Sequence, residues 1–253
     1  MLKLLRKLVL AASLLAAAGA WAENVQVLVY HDFPPFVDAG GANLSRDVCA
    51  LLDARATGRY KFLLQVVPRR RLDALLLRAS APVLVLWVSP DFFPEPQRYH
   101  WGGALMPDSA VLLTMPGRQI DPAQAATLRG LRFGALSGHY YNYPGIEAAL
   151  KDGTIARLDD TSPERNYRKL LLGRIDMTII AESTFYHLRD HVRVPGTAVP
   201  QQQQLPSSVY HRSYFTLGAD PALQQFLHDE LDTLRAVRGD QPGWRIQSLR
   251  AAN

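Results

Sequence analysis

Four groups of side chains in this sequence have the chemistry to grip or transform a small molecule. Tyr30-His31-Asp32-Phe33 puts rings, an imidazole and a carboxylate directly after the apolar run Val27-Leu28-Val29. Trp87, Ser89 and Asp91 stand at the end of the apolar run Val83–Val88. Gly138, His139 and Tyr140 follow Leu131–Leu136, and Glu182 lies just past Met177–Ile180. A carboxylate pairs with a cation or moves a proton, and a ring offers apolar contact with a face that attracts ammonium. Backbone N–H groups at a strand-to-helix junction hold anions.

Each group ends a strand-like segment, so the elements around them decide whether they meet. Pro34 and Pro35 fix φ and remove two backbone donors, which stops the first strand where the chemistry begins. From there the pattern alternates between strand and helix, which predicts an α/β architecture. Strands are expected over 25–30, 60–67 and 83–88, with helices over 44–56 and 70–78 between them. Further strands are expected over 99–105 and 110–114. After the turn-rich 115–122 the alternation restarts: helices over 123–128, 144–151 and 163–172, strands over 131–136, 156–158 and 177–180. The four-glutamine run within 197–204 reads as a surface connector, followed by a strand over 208–217 and a long helix over 222–237. Ligands of open α/β sheets sit beyond the carboxyl ends of the strands, where all four groups lie.

The first residues stand apart from the fold. Lys3, Arg6 and Lys7 precede an apolar stretch, and Ala20-Trp21-Ala22 ends it before Glu23, the pattern of a cleaved secretory signal peptide over 1–22. The expected address is the periplasm. Three of the cations behind the net charge of +5 belong to that segment, so the exported chain is close to neutral and no nucleic-acid partner is expected. Arg69-Arg70-Arg71 is the one dense basic run, and it reads as a solvated helix start or lobe-face patch. The single cysteine, Cys49, allows no internal disulfide and reads as a buried helix residue. His187 and His191 have metal-compatible helical spacing but lack the adjoining glutamate of a zinc hydrolase, so a polar helix face is expected. No cofactor is expected, since phosphate-binding glycine loops, Ser/His/Asp signatures and Cys/His metal spacings are missing from the sequence.

Taken in order, Val-Tyr-His-Asp-Phe-Pro-Pro-Phe, the segment Leu44–Leu52, Leu128-Arg-Gly-Leu-Arg-Phe-Gly-Ala-Leu-Ser-Gly138 and Leu172-Gly-Arg-Ile-Asp-Met-Thr-Ile-Ile180 resemble family-3 periplasmic solute-binding proteins. The resemblance covers nearly the whole exported chain. It implies a two-lobed Venus-flytrap fold, each lobe a mainly parallel sheet flanked by helices. The first lobe would comprise 23–114 and 205–253 and the second 115–204, with hinges near 113–116 and 203–207. It also implies a monomer that closes around a small, polar, amino-acid-like ligand and delivers it to an ABC transporter.

On that resemblance Tyr30, Asp32 and Phe33 contact ligand from the first lobe, and Gly138, His139 and Tyr140 from the second. Phe33 stapling the turn and Asp32 capping it is the other reading. Two departures bear on the ligand. Relatives carry a carboxylate-binding arginine shortly after the third strand, where this chain has Ser89, Asp91 and Phe92. Relatives that bind an α-amino group place a carboxylate where counting gives Ala181, with Glu182 either bulged into the cleft or capping the next helix. A cationic or hydroxyl-rich ligand therefore stands beside a free amino acid. Two other functions use the same cleft: a dehydratase acting on a cyclic acid, with Asp32, Asp91, His139 and Glu182 as available acids and bases, and a ligand sensor for a membrane receptor.

Overall fold

The computed structural model describes residues 22–37, 43–238 and 244–249. The expected signal segment lies outside the described residues apart from Ala22. The chain opens with β1 (Glu23–Val29), α1 (Leu44–Ala56), β2 (Tyr60–Val66), α2 (Arg69–Leu77) and β3 (Val83–Val88). Every residue of β3 is buried, as its unbroken apolar sequence requires of a strand covered on both faces. The Asn43 side chain accepts from the Arg46 N–H at 3.0 Å and starts α1; Thr57 and Gly58, both at positive φ, end it. β2 and β3 flank β1 in parallel.

The middle of the chain gives β4 (His100–Trp101), β5 (Met106–Thr114), α3 (Ala125–Leu128), β6 (Arg132–Leu136), α4 (Ile146–Lys151), β7 (Ala156–Asp160), α5 (Pro163–Leu171), β8 (Met177–Ala181) and α6 (Glu182–His191). β6 pairs in parallel with β7 and β8, and β8 runs antiparallel to β5. The last part comprises β9 (Gln201–Leu217), α7 (Pro221–Leu231), β10 (Leu234–Arg238) and β11 (Trp244–Ser248). Helices cover both faces of each half, and each face has its own apolar cluster. No helix among the described residues is long and apolar enough to cross a membrane.

β9 joins the two halves. Its 17 residues pair with β5 from Gln201 to Arg212 and with β3 from Ser213 to Leu217, so one strand belongs to both sheets. The chain crosses the other way through Gly102–Leu105, between β4 and β5. A Cβ on Gly102 would lie 1.8 Å from the Tyr214 ring, so only glycine lets this crossing pass against β9.

Four expectations change. The Gln201–Gln204 run is strand, not connector: it pairs with Val111–Thr114 at the open edge of the second sheet, where an exposed strand end is kept polar. The expected 99–105 strand shrinks to His100–Trp101: Gly102 N still bonds Tyr214 O of β9, but Gly103 N turns to the Asp232 carboxylate. The last helix stops at Leu231, where the Asp232 carboxylate accepts from Gly103 N at 2.9 Å and Tyr214 Oη at 2.8 Å. Finally, β5 hydrogen-bonds to β8 in the second sheet, so the crossings lie at 102–105 and 212–213, away from the expected hinges near 113–116 and 203–207.

Candidate functional site

A cavity of about 810 Å³ lies between the halves. The first half lines it with Tyr30, His31, Phe33, Arg69, Asp91 and Phe92, and the second with Gly138, His139, Tyr140, Tyr143, Arg157 and Ala181. Tyr210 and Arg212, beside the crossing, complete it.

The floor is built around the buried Arg212 guanidinium. Nε donates to the buried Asp108 carboxylate, Nη1 to the Trp87 carbonyl at 2.9 Å and Nη2 to Tyr210 Oη at 3.1 Å. Nη1 also meets His31 Nε2 at 3.1 Å, which assigns that nitrogen as the acceptor. Asp108 accepts in addition from Ser109 N at 2.9 Å, and from Ser183 N and Oγ at 3.1 and 2.8 Å, so it is saturated. One guanidinium thus ties the end of β3, the turn after β1 and the start of α6 together. Trp87 pays for its part in this with a φ of 64°, a region bulky residues avoid, at a bulge between β3 and β9.

His31 is buried and its Nδ1 has no hydrogen-bond partner. Burial, with Arg212 next, holds its pKa well below the ordinary imidazole value, so it is neutral. Burial also depresses His139, with Arg69 and Arg157 adding to it and Asp32 opposing them. Burial pushes the Tyr30 and Tyr210 phenols up.

Arg69 enters from the start of α2. Its Nε donates to Asp73 at 3.0 Å and Nη2 to the Phe92 carbonyl at 2.9 Å, with Tyr30 and Phe93 rings 5.2 and 4.3 Å from its carbon centre. The cation sought after β3 is therefore supplied to that same segment from the helix before it. The basic run is not wholly a solvated face, since Arg69 and Arg70 both line the cavity.

Of the residues singled out from sequence, Tyr30, Phe33, Asp91, Gly138, His139 and Tyr140 line the cavity together. Trp87 and Ser89 do not: both are buried, and Trp87 Nε1 donates to Ser45 Oγ at 2.8 Å in the core. Asp32 is exposed and outside the lining. Glu182 occupies the first turn of α6, accepting from Ser109 Oγ at 2.9 Å and Tyr186 Oη at 3.0 Å, while Ala181 faces the cavity. The expected N–H cradle is partly occupied, because Ser137 N bonds Asp160 O and His139 N bonds Leu136 O. The next helix starts only at Ile146. Arg157 instead holds this loop, donating to the Leu136 and His139 carbonyls at 3.2 and 3.1 Å.

Sequence reasoning noted His31 and Arg69 without giving either a ligand contact, and passed over Tyr210 and Arg212. A signal existed for the last: an arginine interrupting a strand that continues Ser213-Tyr214-Phe215 must either point to water or find a buried partner. No group of three or more His, Cys, Asp and Glu side chains among the described residues could hold a metal.

No family model and no curated protein matches the chain. Solved structures do. An ancestral arginine-binding protein bound to arginine is similar over 83% of this chain and 91% of its own, at 13% identity and a TM-score of 0.60. This is the fold of the two-lobed solute-binding proteins. A structure from work on glutathione import through GshT and the cystine ABC importer TcyBC of Streptococcus mutans matches 82% of this chain and 87% of its own, at 14% identity and a TM-score of 0.62. The periplasmic VFT2 domain of Bordetella pertussis BvgS matches 81% and 85%, at 16% identity and a TM-score of 0.53. The likeness to family-3 proteins read from the sequence is met at the level of fold.

Proposed function

We propose that this protein is an exported solute-binding protein whose lobes close on a small polar molecule in the cleft. One observation carries the reading: a cavity is lined from both halves, and among the described residues the chain crosses between them at β9 and at the 102–105 segment. A ligand touching both walls stabilises the closed state by contacts the open state lacks. The first lobe comprises β1 to β4, the end of β9, and α7 to β11; the second comprises β5 to β8 and the start of β9. The signal-like N-terminus supports a periplasmic address, and the amino-acid transport neighbours support an ABC permease as recipient. Likeness to the periplasmic VFT2 domain of BvgS supports a second use, in which the closed state is read by a membrane partner.

The test is a thermal-shift screen of the purified protein against amino acids, carboxylates, sugars and polyamines, followed by small-angle scattering with any hit. A ligand of the folded state raises the melting temperature, and closure lowers the radius of gyration. A ligand that stabilises without compaction would overturn the closing mechanism.

A further inference from the structure

We infer that the cleft selects a small carboxylate bearing an aromatic or other flat apolar group, with no ammonium beside the carboxylate. The inference rests on the solute-binding reading and narrows its ligand.

The arrangement of charge is the first argument. Arg212 and Arg157 line the cavity, while the carboxylates that balance them, Asp108 and Asp159, do not. Arg70 lines the mouth and forms no ion pair among the described residues. Arg69 gives Nε to Asp73 and one Nη to a carbonyl and also hydrogen-bonds the Tyr30 hydroxyl, which leaves part of its donor set for an incoming oxygen. The cavity therefore meets guanidinium groups first.

The acids complete the argument. Asp73 is engaged by Arg69, and Glu182 by Ser109 and Tyr186. Asp108 is saturated, and Asp32 stands outside the lining. Among the described residues Asp91 alone is an unengaged lining acid, and it is exposed. An ammonium placed deep in the cleft would lose its water without gaining a carboxylate.

The walls supply the rest. Tyr30, Phe33, Phe92 and Tyr210 present rings from the floor side, with Tyr140 and Tyr143 opposite. Tyr140 is 94% exposed although it lines the cavity, so a flat ligand gives it a surface to cover on closure.

Calorimetric titration with three probes sharing one ring and chain length decides the matter: 3-phenylpropionate, phenylalanine and phenethylamine. The first is expected to bind about tenfold or more tighter than phenylalanine, and the amine not at all. Arg69→Met should weaken 3-phenylpropionate binding by about 30-fold, and Tyr140→Ala by about tenfold. Should Arg69→Met fail to fold, the probe order on the unaltered protein still decides. Preference for phenylalanine, arginine, a polyamine or a sugar overturns the ligand class and leaves the binding protein standing. Binding of nothing in the wider screen overturns both.

Discussion

The two walls of the cleft are built on opposite principles. On the floor, Tyr30, His31 and Arg212 are buried, and the guanidinium is fixed by partners from four segments. Across from it, Ser137, Gly138 and Tyr140 are exposed, and the loop is held by Arg157 and by Tyr141, whose Oη accepts from Leu136 N at 2.8 Å. A floor fixed before ligand arrives costs no ordering at binding, whereas an exposed wall changes its surroundings most when the lobes meet. Stability should therefore reside on one side of the cleft and adaptability on the other.

Substitution on the floor gives the largest expected effect. Arg212→Met leaves Asp108 buried without its cation and should destabilise folding by about 3–5 kcal/mol, read from urea denaturation; a loss under 1 kcal/mol would show that the floor is not the rigid side. Next is the response to acid. An unfolded histidine titrates near 6.5, and His31 in the fold lies well below that. Between those values the unfolded chain holds the extra proton, so stability should fall as pH drops below about 6.5, by up to about 1.4 kcal/mol per pH unit for this residue. His31→Gln should flatten that slope, and an unchanged slope would place the acid sensitivity elsewhere. Tyr141→Phe removes the bond from Leu136 N and should cost about 1 kcal/mol, measured the same way. The smallest effect on stability belongs to Tyr140→Ala, within about 0.5 kcal/mol of the parent despite its loss of ligand affinity. A larger cost would mean that the outer wall is also built in.

Elements with strong local signals were legible in the sequence. The apolar run of β3 and the capped helix α1 fall where pattern and capping place them. The glutamine run did not read as strand, because edge exposure depends on what lies beside β9 and not on its own residues. Ligand-wall candidates at strand ends came together because topology alone gathers those ends. Arg212 was not readable in the same way: its role needs Asp108 and the Trp87 carbonyl, both distant in sequence, to arrive beside it. Glu182 and Ala181 differ by one position, and the first turn of α6 rather than composition decides which faces the cavity.

The shared strand β9 also governs the order in which this chain becomes a protein. Leu84 of β3 takes Thr216 as its neighbour, so the part of the chain made first cannot close its sheet until nearly the last part has been made. Contacts of such long range make folding slow relative to local hairpins and helices. A nascent chain lacking its final segment keeps the β3 edge open until Ser213–Leu217 arrives to pair with it.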